Sequence, residues 1–128
     1  SLSQDELYIV TGSVDRTVKL WCLRLNICLA TYKGHLKTVW DVHFNPSGLY
    51  FLSGGAEGLM ILWKTDNSKP QRLFVHKEDI YKVHFAKNPS YAISAGEEGL
   101  LKIWDIVEAK IVAVFFLLCR QLKQSVRL

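Results

Sequence analysis

The sequence is poor in cysteine, proline and methionine, and it has no long apolar run. Cys22, Cys28 and Cys119 have no metal-type spacing, and so sparse and odd a set argues against a disulfide scaffold and favours a reducing compartment. The longest apolar run, Ile111 to Leu118, is far shorter than the roughly 20 residues that span a bilayer. No basic and apolar signal segment begins the chain. We therefore expect a folded globular chain without a membrane partner.

A broad excess of one charge is also missing. Residues 1–115 carry thirteen Lys or Arg and twelve Asp or Glu, and the last thirteen residues add Arg120, Lys123 and Arg127. The body of the chain therefore lacks the basic surface of a nucleic-acid-binding protein, and we expect no direct sequence-specific contact with nucleic acid. Residues 116–128 form a basic tail with one apolar helical stripe, which either caps the last repeat or is disordered.

The chain does contain a repeat. Trp21, Trp63 and Trp104 lie 42 and 41 residues apart, and His35 and His76 lie 41 apart. In all three copies a hydroxyl residue precedes an acidic residue by four positions, and that acid precedes the tryptophan by six. The aligned segments read IVTGSVDRTVKLW, FLSGGAEGLMILW and AISAGEEGLLKIW. A period near 41 with short alternating strands is typical of a β-propeller blade.

The predicted fold is all-β, a propeller segment of about three four-stranded blades in an incomplete ring. The blades cover 7–35 (partial), 36–75 and 77–115. In the second blade we predict strands at 39–45, 49–54, 59–64 and 71–75, with a turn over 65–70. Other blades or other copies are needed to close the ring. The chain is therefore interpreted as part of a longer protein, as a truncated product, or as a subunit that associates with copies of itself.

These motifs resemble the WD-repeat family. In that family a histidine, a hydroxyl residue, an acid and a tryptophan form a buried hydrogen-bonded relay within one blade. The resemblance assigns the relay to three sets: His35, Ser53, Glu57 and Trp63; His76, Ser94, Glu98 and Trp104; and, without a histidine, Thr11, Asp15 and Trp21. The family prefers aspartate at the acid position, so the two glutamates must bend to fit. Val75 replaces the expected glycine, which we expect to weaken a tight turn because glycine tolerates positive φ.

The relay superficially resembles a catalytic triad, but it recurs in each blade with a tryptophan attached. We interpret it as structural. No nucleophile elbow, P-loop or zinc-protease motif is present, so the chain is predicted to be non-enzymatic and to need no cofactor or metal. His43 and His84 also repeat at a spacing of 41. Two histidines without a third ligand bind zinc poorly, so we interpret the pair as part of a half-buried strand face and not as a zinc site.

A finer resemblance covers residues 32–74. It consists of YKGH, VWD, Phe44 with Pro46 and Gly48, YFxSGG, LWxTD and PxRxF. This segment is similar to the WD-repeat TBP-associated factors of TFIID. The resemblance implies a nuclear scaffold that docks onto histone-fold TBP-associated factors and does not read DNA.

Candidate partner-binding residues occupy one register of successive blades: Trp40 with Asp41, and Tyr81 with Lys82. Aromatic side chains there suit protein contacts, and inter-blade packing is the alternative. A peptide-reading adaptor, for histone tails or ubiquitin-ligase substrates, is a second functional hypothesis. Its basic-tail form is disfavoured because only Asp41 is acidic in that register, opposite Lys82. A truncated chain without independent function is the third.

Overall fold

A computed structural model describes residues 1–97 and 99–116. Its eleven strands are β1 Tyr8–Gly12, β2 Thr17–Cys22, β3 Ile27–Lys33, β4 Val39–Phe44, β5 Tyr50–Gly55, β6 Leu59–Lys64, β7 Asn67–Val75, β8 Ile80–Phe85, β9 Tyr91–Gly96, β10 Leu100–Asp105 and β11 Lys110–Phe116. They form three antiparallel sheets, β1–β3, β4–β7 and β8–β11, each in sequence order. This confirms the predicted all-β fold of three blades. In the part of the chain described, no helix has the length and apolarity to cross a membrane.

Strand alternation sends apolar side chains to both faces of the middle sheet, so that it is buried on both sides. One face packs against the first sheet and the other against the third. The core between the first two sheets comprises Val10, Val18, Leu20, Tyr32, Val39, Phe44, Phe51, Ile61 and Trp63. The core between the last two comprises Leu52, Met60, Leu62, Phe74, Ile80, Val83, Phe85, Ala92, Trp104 and Ile106. The hydrophobic cores therefore lie between blades rather than within one.

The outer faces of the first and third sheets are more exposed than the faces that pack against the middle sheet. Phe115 stands one repeat after Phe74, yet Phe115 is 52% exposed where Phe74 is 1% exposed. The tryptophan of the first repeat, Trp21, is only half-buried, whereas Trp63 is fully buried. Within the described residues, each end of the segment therefore presents an apolar sheet face of the kind that packs against a neighbouring blade in the middle of the chain.

The first sheet has a short additional partner that the sequence did not predict. Leu2 bridges Ile9 in an antiparallel sense. The amino group of Ser1 donates to the Val10 carbonyl at 2.8 Å, and the Val10 N–H donates to the Ser1 carbonyl at 2.9 Å. Residues 1–3 therefore occupy, beside β1, the position that β4 occupies beside β5.

Two local predictions were wrong. The turn predicted over 65–70 is shorter, because β7 begins at Asn67. Pro70 lies within this edge strand, opposite Trp63 at a register shift, where a missing N–H interrupts little of the ladder.

The expectation that positive φ explains the glycine before the relay histidine was also wrong. Gly34 is not among the residues with positive φ. A Cβ atom at Gly34 would lie 2.9 Å from Cη2 of Trp63, so it is close packing that favours glycine here. Val75 ends β7 with its side chain 71% exposed, so it has room.

Candidate functional site

The relay of the second blade is a continuous hydrogen-bonded chain. Trp63 Nε1–H donates to Ser53 Oγ at 2.8 Å, and Ser53 Oγ lies 2.6 Å from His35 Nε2. His35 Nδ1 contacts a carboxylate oxygen of Glu57. Donors and acceptors match throughout if the serine hydroxyl donates to Nε2 and Nδ1–H donates to the carboxylate. Ser53 and Trp63 are fully buried, so the relay ties β5, β6 and the loop before β4 together.

Glu57 reaches the histidine by folding over a glycine. A Cβ atom at Gly55 would lie 2.5 Å from Glu57 Oε2 and 2.7 Å from His35 Nδ1. The space that the longer acid needs is therefore the space that Gly55 leaves empty. Within the described residues, Oε2 of Glu57 is buried without a hydrogen-bond partner. The carboxylate therefore pairs one oxygen with His35 and leaves the other unpaired, which is unfavourable for a buried acid.

The third blade repeats the tryptophan–serine–histidine part of this chain. His76 Nε2 lies 2.7 Å from Ser94 Oγ, and Trp104 Nε1–H donates to that oxygen at 2.9 Å. Glu98, the predicted acid of this relay, lies outside the described residues, as do residues 117–128 of the predicted tail.

The first blade has a shorter arrangement at its exposed face. Trp21 Nε1–H donates to Thr11 Oγ1 at 2.9 Å. Asp15 does not join them, because its Oδ1 accepts hydrogen bonds from the hydroxyl of Thr17 at 2.6 Å and from the backbone N–H of Thr17 at 3.0 Å. The structure therefore brings together two of the three residues that the resemblance assigned here.

The relays hold the loops that present Trp40 and Tyr81. His35 lies in the loop that enters β4, and His76 lies in the loop that enters β8. We call this end of the blades the upper end. The β1–β2 and β5–β6 turns share it, since Val39 N–H donates to the Ser13 carbonyl and Ala56 N–H donates to the Thr38 carbonyl. The β9–β10 turn joins it through the hydrogen bond from Glu97 N–H to the Asp79 carbonyl. Each buried relay thus anchors a loop at the upper end.

Trp40 and Tyr81 are presented by β-bulges. The register between β4 and β5 shifts between Val39 and Asp41, and the register between β8 and β9 shifts between Ile80 and Lys82. The aromatic residue is the extra one in both strands, and an extra residue re-aims a side chain away from the ladder. We call the pair the aromatic surface.

The two rings of the aromatic surface touch across the boundary between blades. Their centroids are 6.0 Å apart at an interplanar angle of 59°. Trp40 remains 50% exposed and Tyr81 42% exposed. About half of each residue is therefore buried, and the rest is exposed to solvent.

Asp41 and Lys82, the charged members of the predicted set, line a cavity of about 810 Å³ beside β4 and β8, together with His43 and His84. Asp41 Oδ2 accepts the Val83 N–H at 2.9 Å, which joins β4 to β8. Asp41 therefore has a role in holding two blades together.

His43 joins the same two strands. Its Nδ1 accepts the Phe85 N–H at 3.2 Å, and its ring stacks on that of His84 with centroids 3.7 Å apart. Burial, reinforced by the charge of His84 and opposed by Asp41, lowers the pKa of His43 from 6.5 to about 4. Near neutral pH the ring is therefore uncharged and free to accept this hydrogen bond.

Sequence reasoning missed a set of carboxylates near Tyr81. Burial raises the pKa of the Tyr81 hydroxyl, and so does the negative charge of Glu97, Asp79 and Glu78. The Glu97 N–H donates to the Asp79 carbonyl at 2.9 Å, which draws the β9–β10 turn to the loop before β8. These acids come from two segments, so the register of Trp40 and Tyr81 carried no signal for them.

Exposed aliphatic residues at the upper end were missed as well. Val14 and Leu36 are 76% and 74% exposed, in the β1–β2 turn and in the loop before β4. Among residues 1–97 and 99–116, no cluster of three or more His, Cys, Asp or Glu side chains could hold a metal ion.

The family model described as "WD domain, G-beta repeat" matches residues 1–22, 26–64 and 68–105. The matches are offset from the sheets by one strand: 26–64 covers β3 to β6, and 68–105 covers β7 to β10. The first match begins at Ser1 and so includes the short partner of β1, and the relays occupy equivalent places in the second and third matches.

Several curated proteins are similar to parts of this chain. A Lissencephaly-1 homolog of Dictyostelium discoideum is 50% identical over 48 residues, 38% of this chain and 12% of that protein. Nuclear distribution protein PAC1 of Arthroderma otae is 33% identical over 63 residues, 49% of this chain and 14% of that protein. Transcription initiation factor TFIID subunit 5 of Caenorhabditis elegans is 30% identical over 74 residues, 58% of this chain and 11% of that protein. The chain thus spans a small fraction of each relative's length.

Proposed function

The chain belongs to the WD-repeat family, and from that premise we propose that its aromatic surface is where the propeller scaffold binds a protein partner. WD-repeat propellers are protein-interaction scaffolds. The observation that carries the proposal is the contact of Trp40 with Tyr81 on equivalent bulges of adjacent blades, with about half of each side chain exposed. Tryptophan and tyrosine are enriched among the residues that dominate interface energies.

The buried relays support a non-enzymatic role. Ser53 and Ser94 are both 0% exposed, and each serine oxygen accepts a hydrogen bond from a tryptophan. A nucleophilic serine has to meet its substrate, and neither hydroxyl is accessible to one. The relays therefore serve the scaffold by fixing the loops from which Trp40 and Tyr81 emerge.

We infer further that the protein partner belongs to a transcription initiation assembly of the TFIID kind. Two observations support this: the YKGH, VWD and YFxSGG motifs within residues 32–74, and the similarity to the Caenorhabditis TFIID subunit 5 over 74 residues. The partners would be histone-fold TBP-associated factors, and the site of action the nucleus. The near balance of charge over residues 1–115 favours protein contacts over nucleic acid.

The test is an affinity purification of the tagged chain from nuclear extract, with the bound proteins identified by mass spectrometry. Trp40→Ala and Tyr81→Ala are compared with Val107→Ala, a substitution of an exposed residue in the β10–β11 turn at the opposite end. We expect TBP-associated factors to bind the unsubstituted chain and the Val107 variant, and to be lost from the aromatic variants.

Two results would contradict the proposal. Recovery of the same factors by both aromatic variants would exclude the aromatic surface as their binding site. Recovery of chaperones and chaperonins alone would exclude the scaffold role and favour a truncated chain without independent function.

A further inference from the structure

The same pair of aromatic side chains recurs at both boundaries between blades. Tyr32 of the first blade meets Trp63 of the second edge to face, with ring centroids 5.4 Å apart and an interplanar angle of 65°. Phe74 of the second blade meets Trp104 of the third in the same way, at 5.5 Å and 66°. In each case the last strand of one blade supplies a ring to the tryptophan of the next blade. We call this contact the boundary pair.

Strand register places one half of a boundary pair at each end of the segment. Phe115 occupies in β11 the position that Phe74 occupies in β7. Trp21 occupies in β2 the position that Trp63 occupies in β6. Phe115 is exposed and Trp21 is half-buried, whereas their equivalents inside the segment are buried. The outer face of the third sheet therefore offers the ring of a boundary pair, and the outer face of the first sheet offers the tryptophan.

The first sheet has room for a ring beside its tryptophan. A cavity of about 320 Å³ is lined by Trp21 and Ile9, which oppose each other in β2 and β1. In the second blade the equivalent residues, Trp63 and Phe51, both contact the ring of Tyr32. The cavity therefore lies where the ring of a preceding blade would pack.

Apolar side chains surround Phe115 on the outer face of the third sheet. Ile93, Leu101 and Ile103 lie on the same face of that sheet as Phe115. Their equivalents in the second blade belong to the core between the last two sheets. A blade packed on this face would therefore extend the inter-blade core, and the burial of apolar area would drive the association.

We propose that two copies of this chain associate head to tail, with Phe115 of each copy packed against Trp21 of the other. A second copy is the occupant because one chain carries both halves of the boundary pair on its two outer faces. Such a heterologous contact closes into a ring where the rotation allows. Two copies of three blades give six, within the range of about four to eight that closed propellers use, and three copies would give nine. The assembly is therefore a closed dimer.

The test is sedimentation equilibrium of the full chain over about a hundredfold range of concentration. We expect a mass twice the 14.6 kDa of one chain, without growth beyond the dimer. Phe115→Glu and Trp21→Ala each alter both contacts of the dimer, so each should weaken dimerisation at least about a hundredfold, about tenfold for each contact. Urea unfolding verifies that the variants are folded. Phe115→Glu changes an exposed side chain and suffices if Trp21→Ala unfolds.

Two controls accompany these variants. Val114→Ala is matched to Phe115→Glu, because Val114 pairs with Lys102 and lies on the opposite face of the same strand. Trp40→Ala alters the aromatic surface and leaves both outer faces intact. Both control variants should dimerise as tightly as the unsubstituted chain.

A mixture of the two interface variants gives a sharper test of the head-to-tail geometry. Neither Phe115→Glu nor Trp21→Ala alone can form an intact contact. A heterodimer of the two has one intact contact, because the first variant keeps Trp21 and the second keeps Phe115. We expect the mixture to dimerise at least about tenfold more tightly than either variant alone.

Four results would each overturn the inference: a monomer at every concentration, a polydisperse aggregate, interface variants that dimerise as tightly as the unsubstituted chain, or a mixture no tighter than its components. A monomer would assign the two outer faces to blades of another protein. The proposed function fails separately, since it concerns the aromatic surface. Loss of nuclear partners that Trp40→Ala does not cause would contradict that proposal and leave the dimer unaffected.

Discussion

The contact of His43 with β8 should make the stability of the chain depend on pH. His43 Nδ1 accepts the Phe85 N–H, and this is possible only while that nitrogen carries no proton. The ring also stacks on that of His84, whose charge opposes a positive charge on His43. Protonation of His43 therefore costs the folded chain both a hydrogen bond and a favourable contact between blades.

The direction follows from the two pKa values of His43, which are 6.5 in the unfolded chain and about 4 in the folded chain. Between these values the unfolded chain binds the proton and the folded chain does not, so stability falls as the pH falls. Above 6.5 the stabilisation is present in full. The difference corresponds to about 3 kcal/mol, but His43 is only half-buried, and solvent screening reduces the expected loss to about 1–2 kcal/mol.

The assay is urea unfolding at a series of pH values from about 7.5 to about 4.5. The comparison variant is His43→Gln, whose amide oxygen accepts a hydrogen bond but does not titrate. The unsubstituted chain should lose about 1–2 kcal/mol more than the variant over this range. Groups distant from His43 titrate equally in both chains, so the difference reports His43 together with its neighbours Asp41 and His84. Parallel curves would refute the reasoning.

Three further predictions concern the contacts that hold the blades. Ser53→Ala leaves the buried nitrogens of the histidine and tryptophan in its relay without their shared partner, and should lower the free energy of unfolding by about 2 kcal/mol in urea titrations. Gly55→Ala drives a Cβ atom into the Glu57 carboxylate, and should cost about 1–3 kcal/mol by the same assay. Tyr32→Phe removes the hydroxyl that donates to the Thr65 carbonyl across the first two blades, and should lower the thermal midpoint, with a loss of about 1 kcal/mol.

Each of these three has an outcome that contradicts it. A Ser53→Ala chain as stable as the original would mean that the relay contributes nothing net. A neutral Gly55→Ala substitution would mean that the acid moves aside without cost. An unchanged midpoint for Tyr32→Phe would mean that water replaces the hydroxyl equally well.

The repeat made most of the architecture predictable. The tryptophan and histidine spacings fixed three units and the order of their strands, because a residue's place in the repeat also sets the sheet face it occupies. The bulges at Trp40 and Tyr81 were not visible, since VWDVHF and IYKVHF read as regular alternation. An extra residue that leaves the ladder is set by packing between blades, and a strand pattern does not record it.

The acids near Tyr81 escaped prediction for a different reason. Glu97 and Asp79 lie in separate loops, and only the backbone hydrogen bond between them shows that the loops meet. The hydrophobic pattern sets strand register but says little about how turns approach one another. Charges on loops were therefore the part of the candidate site that the sequence left open.

The relay and the aromatic surface are physically connected, and a measurement can separate their effects. His35 precedes Trp40 by five residues in one loop and strand, and Ser53 Oγ fixes the imidazole from the neighbouring strand. A relay substitution should therefore weaken partner binding by loosening that loop as well as lowering stability. Trp40→Ala should weaken binding with little change in stability, because the side chain is half exposed. If Ser53→Ala, studied where it is still folded, recovers the same nuclear partners as the original chain in the affinity purification, the relay holds the blade together without positioning Trp40.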